Sequence, residues 1–334
     1  MTSAVLGAGS WGTALAVHLG SNGHRVRIWG RDPSMVHEMR ARRANQTYLP
    51  DVILPESVTP TAALDEALDG AEFVIAAVPS HGTRDVMRAA APLVPPGAIL
   101  VSATKGLEVD TLLRMSEVIA QTVGGGRPIA VLSGPSFALE VANRLPTALL
   151  VASADAAAAG HVQQSFRGRV FRLYVTDDVV GVEIGGAMKN IIAIAAGVVE
   201  SVGLGQNALA ALITRGLAEI SRLACALGGQ RDTLSGLSGL GDLVLTCTGS
   251  LSRNRHVGIE LGKGRQLADV LAGMRMVAEG VRTTGAALAL GARNGIELPI
   301  AAQMQDVLAG RKTPQAAVEE LMLRPQRAEG ERSR

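Results

Sequence analysis

The residues best suited to chemistry lie in an otherwise apolar stretch, Val182-Glu183-Ile184-Gly185-Gly186-Ala187-Met188-Lys189-Asn190-Ile191-Ile192. A helix here is apolar nearly all round, which predicts burial. Its only strongly polar residues before Glu200 are Glu183, Lys189 and Asn190. A buried lysine must find a partner or lose its proton, because an unpaired buried charge is costly. Lys189 is therefore a candidate acid/base; the bland alternative is a lysine whose head reaches water along an apolar surface. Lys189 follows Gly185 by four residues, so the turn beneath it is expected to be bare, with room for a small ligand. Downstream, Asp242 is the one acid of a glycine-rich apolar stretch over residues 234–243. It is either a helix cap or the group that orients and charges Lys189. Ser250-Leu251-Ser252-Arg253-Asn254-Arg255-His256 adds two guanidiniums with hydroxyl and amide groups, and arginine binds phosphate through paired charge-assisted hydrogen bonds. Taken by itself, that segment is equally a solvated basic turn. Glu279 is a further polar point before the last helices.

Groups so far apart in sequence need a scaffold. The chain opens on an apolar strand, Ala4-Val5-Leu6, followed by Gly7-Ala8-Gly9-Ser10-Trp11-Gly12 and an alanine-rich helix. Strand, tight glycine turn and helix start form the context in which this pattern binds a dinucleotide pyrophosphate. Gly7 permits the turn, Gly9 lets the backbone approach the pyrophosphate, and Gly12 lets helix and strand pack closely. The helix N-terminus favours the negative charge. A second strand, 24–29, ends at Gly30-Arg31-Asp32. An acid at this tip favours NAD, whereas an arginine accommodates the 2′-phosphate of NADP. Arg31 at the tip points to NADP(H) as preferred cofactor, with NAD(H) also used; an exposed arginine without a ligand is the competing reading.

Residues 45–60, marked by three prolines, read as loop and short extended pieces. Helix 62–68 precedes an unbroken apolar strand, 72–78, of the kind found in parallel sheets covered on both faces. Helix 83–90 and strand 98–102 lead to Thr104-Lys105-Gly106. This puts Lys105 at the carboxyl edge shared with the glycine turn, a better position for touching a ligand than an ordinary loop offers. Helix 111–123 and strand 129–132 lead to Ser133-Gly134-Pro135-Ser136-Phe137-Ala138. That turn is either an anion or carbonyl site built on free N–H groups and the Ser136 hydroxyl, or simply a capped helix start. Strands 147–152 and 170–175 flank helix 154–165, and beyond about Thr176 the pattern is helical. The expected fold is α/β: an N-terminal Rossmann domain with a mostly parallel sheet over residues 1–180. An all-α domain follows over 181–324, then a flexible tail over 325–334.

With 334 residues, 47% hydrophobic and 19% charged, the chain can bury two cores. A net charge of +2 gives no electrostatic case for nucleic acid or an anionic membrane. Cys225 and Cys247 lack metal-ligand or disulfide spacing and read as buried apolar residues. The six histidines do not cluster, so no metal is expected. The longest apolar run, 191–199, is too short to span a bilayer, and the chain enters its first strand without a targeting signal. A soluble cytoplasmic protein is expected.

The motifs together resemble the bacterial NAD(P)-dependent glycerol-3-phosphate dehydrogenases. They are the glycine turn, Lys105-Gly106-Leu107, residues 133–138, Gly185-Gly186-Ala187-Met188-Lys189-Asn190, Gly239-Leu240-Gly241-Asp242-Leu243 and Ser252-Arg253-Asn254. They run in the family's order over roughly residues 3–320, and only the first is generic. The resemblance implies reversible reduction of dihydroxyacetone phosphate to sn-glycerol 3-phosphate, a precursor of glycerophospholipids. It makes Lys189 the acid/base, with Asp242 holding it. Lys105, Gly134, Ser136, Ser252, Arg253 and Asn254 then match substrate positions. Ser10, Trp11, Arg31, Lys105, Ala138, Arg253, Val277 and Glu279 match cofactor positions, and Tyr48 lies in a loop that in the family often nears the cofactor. A homodimer is expected by analogy. A related β-hydroxyacid dehydrogenase and a non-catalytic dinucleotide sensor are the competing readings.

Overall fold

A computed structural model describes residues 1–124, 126–274 and 276–325. Ten strands occur among them: β1 (Thr2–Leu6), β2 (Arg25–Trp29), β3 (Ala44–Asn45), β4 (Leu49–Ile53), β5 (Val58–Thr61), β6 (Phe73–Ala76), β7 (Ile99–Ser102), β8 (Ile129–Ser133), β9 (Thr147–Ala152) and β10 (Phe171–Thr176). Eight form one sheet in the order β10-β9-β8-β7-β6-β1-β2-β5, while β3 and β4 make a small antiparallel pair. Every pairing in the large sheet is parallel except β8 with β9.

The apolar runs form parallel strands because both faces are covered. Val5, Ile75 and Val101 face one way, against the Ser10–Ser21 and Ala156–Phe166 helices. Ala4, Leu6, Val74, Ala76 and Leu100 face the other way, against Ala67, Leu68, Met87 and Ile119. Chain order changes direction at β1, which lies between β2 and β6. Leu6 pairs with both Trp29 and Ala76, and Ala76 with Ser102, so four strands end level with one another. Ligands of such sheets bind in the crevice above this switch point.

The last strand ends at Thr176 and a 23-residue helix begins at Val179. Gly181 through Val199 of this central helix are buried without a break. It is wrapped by the helices Gly205–Ala226, Asp242–Thr248, Arg253–Gly262, Glu279–Arg293 and Pro299–Leu308. Each fully buried isoleucine at 191, 192 and 194 contributes about 1.5–3 kcal/mol of transfer free energy.

The proline-marked segment contains β5 among its short extended pieces, and Pro60 is tolerated there because β5 is an edge strand, where a missing N–H breaks no ladder. Two expectations change. The central helix, with a mean hydropathy of 1.5 over its most apolar window, is long and apolar enough to cross a membrane. The nine-residue run is thus only part of it; 89% of that window is buried inside the fold, the situation of a core helix. Cys225 is exposed, near the end of a helix with one outward face, and only Cys247 is buried. The expected tail, apart from Pro325, lies outside the described residues.

Candidate active site

The central helix carries Lys189 to the point where the helical layer meets the sheet's carboxyl edge. Its ammonium donates to Asp242 Oδ1 and, at 2.9 Å, to Thr246 Oγ1. Asp242 is the first residue of the Asp242–Thr248 helix, so Thr246 lies one turn above it on the same face. The Thr246 hydroxyl donates to the Asp242 carbonyl at 2.6 Å, which turns its lone pairs towards Lys189. The other carboxylate oxygen of Asp242 accepts Lys105 Nζ at 2.6 Å, and Lys105 also donates to the Gly134 carbonyl at 2.8 Å. Asp242, 1% exposed, is thus held between two ammonium groups. Of the two sequence readings, its side chain partners the lysine and does not cap the helix.

Burial drives the Lys189 ammonium down from its ordinary range to about 7, with Asp242 pulling it back up and Lys105 pushing it further down. A lysine titrating there gives or takes a proton at neutral pH. Two of its three N–H bonds go to Asp242 and Thr246, which leaves one for an incoming oxygen.

The bare turn at Gly185 is not ligand space. A side-chain carbon there would lie 2.7 Å from the Ser238 carbonyl oxygen, so the missing side chain admits the backbone of the 237–241 turn. At Gly186 it would lie 2.9 Å from Ser133 Oγ and 3.5 Å from Lys105 Cγ. The glycine pair brings Lys105 and Asp242 up to the helix.

Asn190 accepts from Asn254 Nδ2 at 2.9 Å, and Asn254 Oδ1 accepts the Gly280 N–H at 3.0 Å. Other expected substrate residues are committed internally. Ser252 caps the Arg253–Gly262 helix through the Arg255 N–H, and Ser136 donates to the Gly134 carbonyl at 2.9 Å. The turn at 133–138 leads only into a five-residue helix, Ala138–Ala142, which packs on the Ser10–Ser21 helix.

At the glycine turn, a side-chain carbon on Gly12 would lie 1.9 Å from the Gly7 carbonyl oxygen, and one on Gly7 would lie 2.7 Å from the Ala77 oxygen. Neither position accepts another residue. Around Gly9, in contrast, a side-chain carbon would meet nothing within 4 Å, so the outer side of the turn is open to a ligand. Trp11 Nε1 is buried without a hydrogen-bond partner among the described residues. These features fit a dinucleotide whose pyrophosphate lies over Gly9 at the helix N-terminus. Asn45, from β3, buttresses the turn by donating to the Ala8 carbonyl and to Thr13 Oγ1 at 2.9 and 2.8 Å. Ser10 donates to the Tyr48 carbonyl at 3.3 Å and to Met276 Sδ at 3.0 Å. Arg253 Nη1 donates to the Val277 carbonyl at 3.0 Å. Glu279 accepts the Ser80 N–H and hydroxyl at 2.9 and 2.6 Å, beside Gly106. Residues 276–279 thus connect the glycine turn, the Ser80 helix and Arg253, bridging the two parts of the site.

The sequence reading missed Thr246, Asn45, Ser80 and Met276. Thr246 had a local signal, its spacing of four from Asp242 on a helix. The other three are ordinary residues brought in over long sequence separations.

Sheet, switch point and buried lysine put the chain among Rossmann-type oxidoreductases. Comparison with known proteins narrows the class. The NAD-dependent glycerol-3-phosphate dehydrogenase N-terminal pattern matches residues 2–159, and its C-terminal counterpart matches residues 178–319. A glycerol-3-phosphate dehydrogenase [NAD(P)+] of Koribacter versatilis is 54% identical over 271 residues, covering 80% of each chain. One from Thioalkalivibrio sulfidiphilus is 53% identical over 264 residues, covering 79% of each. The crystal structure of glycerol-3-phosphate dehydrogenase from Coxiella burnetii superposes with a TM-score of 0.93 at 42% identity, covering 97% of this chain and 99% of that one. The chain belongs to the NAD-dependent glycerol-3-phosphate dehydrogenase family.

Proposed function

We propose that this protein reduces dihydroxyacetone phosphate reversibly to sn-glycerol 3-phosphate, with Lys189 as the acid/base. The observation that carries the assignment is the buried Lys189 ammonium, held by Asp242 and Thr246 and titrating at about 7. When bound, the nicotinamide supplies or accepts the hydride at the substrate's C2. In reduction Lys189 gives its proton to the carbonyl oxygen as C2 gains the hydride, leaving an alcohol and a neutral amine. In oxidation the neutral amine takes the hydroxyl proton. Asp242 keeps the lysine charged and aimed. Lys105, held between Asp242 and the Gly134 carbonyl, neutralises negative charge at the substrate oxygens. Arg253 at the rim supplies the guanidinium for the phosphate, with Asn254, Ser252, Gly134 and Ser136 shaping the rest of the pocket.

The cofactor is held by Gly7, Gly9, Ser10, Trp11 and Gly12, with Arg31, Tyr48, Lys105, Ala138, Arg253, Val277 and Glu279 along its length. Arg31 at the tip of β2 favours NADP(H), with NAD(H) also accepted. Residues 1–180 then form the nucleotide-binding domain and residues 181–324 the substrate domain. The product would serve glycerophospholipid synthesis in the cytoplasm, and the working form is a homodimer, as expected of the family.

The test is oxidation of NADPH followed at 340 nm with dihydroxyacetone phosphate, beside NADH and a panel of hydroxyacid and ketoacid substrates. Rapid turnover of the phosphorylated ketone alone is the expected result. Turnover of a carboxylate substrate instead would overturn the substrate assignment.

A further inference from the structure

The glycine turn leans on a segment that lies outside its own strand and helix. β3 and β4 pair antiparallel, Ala44 with Ile53 and Asn45 with Leu49, and Leu49, Val52 and Leu54 are buried in the core of the sheet half. At the base of the pair the Arg43 guanidinium donates to the Leu54 and Pro55 carbonyls, and the Arg43 carbonyl accepts the Leu54 N–H at 2.7 Å. This fixed support carries Asn45, 0% exposed, against the turn.

Asn45 uses its whole amide there. Nδ2 donates to the Ala8 carbonyl at 2.9 Å and to Thr13 Oγ1 at 2.8 Å, while Oδ1 accepts the Tyr48 N–H at 3.2 Å. Turned over, the amide would set its oxygen against the Ala8 carbonyl and its N–H groups against that of Tyr48, so only one orientation fits. A carboxylate of the same shape has no hydrogen to offer either acceptor.

The Ala8–Gly9 peptide is trans and planar, so its carbonyl and its N–H point in opposite directions. Holding the Ala8 carbonyl on Asn45 therefore aims the Gly9 N–H the other way. That N–H has no hydrogen-bond partner among the described residues, and the space around Gly9 is open. Thr13, the second acceptor, donates its own N–H to the Gly9 carbonyl at 2.9 Å, so the same amide steadies the first turn of the Ser10–Ser21 helix. Tyr48 reaches the turn through its backbone, its carbonyl accepting the Ser10 hydroxyl at 3.3 Å.

We infer that Asn45 is a positioning residue for the cofactor: it locks the Ala8–Gly9 peptide with its N–H outward, so the pyrophosphate meets a donor already aimed. The inference rests on the reading of a dinucleotide over Gly9 and deepens it. Asn45 acts only through the turn. Without its amide the buried Ala8 carbonyl loses its donor, and rotating the peptide to recover one points a carbonyl dipole at the phosphates. Aspartate would drive that rotation by repulsion and add a negative charge behind the pyrophosphate site.

The experiment is calorimetric titration of NADPH and of NADH into the wild type, Asn45→Ser, Asn45→Leu and Asn45→Asp, with thermal midpoints measured on the same preparations. Binding needs no turnover, so the result is independent of the substrate assignment. Kd for both cofactors is expected to rise about threefold in Asn45→Ser, which keeps one donor, about tenfold in Asn45→Leu and about a hundredfold in Asn45→Asp. In steady-state assays the loss should fall on the cofactor KM and spare the KM of the substrate. If Asn45→Asp does not fold, Asn45→Ser and Asn45→Leu carry the test. A lowered thermal midpoint with unchanged Kd, the signature of a purely structural residue, would overturn the inference while leaving the cofactor reading intact. A wild type that binds neither cofactor would overturn that reading and the inference with it.

Discussion

The central helix buries two charges six residues apart, Glu183 and Lys189, and the protein surrounds them differently. Glu183 accepts from Arg114 Nη1 at 2.7 Å, from the Ser116 N–H at 2.8 Å and from the Ser116 hydroxyl at 2.5 Å. Every neighbour donates, and the set ties the helix to the start of the Met115–Val123 helix beneath the sheet edge. Burial still raises its carboxyl above the ordinary range, against the opposing pull of Arg114. Lys189 has instead a carboxylate that it shares with a second ammonium, and one N–H left over. A complete shell makes a fastener. A shared partner leaves a group able to change protonation, which is what the acid/base role proposed for Lys189 requires.

The largest expected effects separate these roles. Lys189→Ala should lower kcat by about 10²–10⁴-fold while leaving the thermal midpoint within a few degrees. Glu183→Ala leaves Arg114 short of its buried partner and should cost about 3–5 kcal/mol in urea unfolding, with kcat of the folded enzyme changed only a few-fold. The reverse pattern would break the comparison. A finer test is pH. Reduction needs the ammonium, so its rate should fall as pH rises through about 7, whereas oxidation needs the neutral amine and should rise over the same interval. Asp242→Asn removes the charge that holds the proton and should move both limbs to lower pH, seen in kcat/KM profiles.

The smallest effect concerns a third buried carboxyl. Glu219 accepts the Ile300 N–H at 2.7 Å and that of Ala301 at 3.4 Å, and burial pushes it up to about 7. The folded protein thus holds a proton between pH 4.5 and 7 that the unfolded chain has released. The stabilisation is complete below about 4.5 and is lost as pH rises to 7, by an amount on the order of 1–3 kcal/mol. Glu219→Gln should flatten that slope in unfolding free energy measured from pH 5 to 7.5.

What could be read beforehand follows from the range of each signal. The glycine turn was legible because strand, turn and helix are contiguous. Lys189 stood out because a charge in an apolar helix contrasts with its immediate neighbours. Gly185 was misread because the occupant of its bare face, the Ser238 carbonyl, lies 53 residues away. The Ser80–Glu279 clasp spans 199 residues and uses two common residue types, so no local pattern announces it. The antiparallel pairing of β8 and β9 was likewise hidden, since an apolar run records burial and not direction.

The enclosure of the central helix also bears on how the chain is made. The helix is complete at Ser201, but Arg253–Gly262 and Glu279–Arg293, which cover much of it, come later in the chain. At ordinary rates of translation the ribosome needs roughly 5–20 s to supply them. During that interval the Gly205–Ala226 helix, made next, can pack on it, while the faces that the two later helices cover stay open. Midway through synthesis, after the large sheet has been translated, a 23-residue rod that resembles a membrane span is thus only partly enclosed.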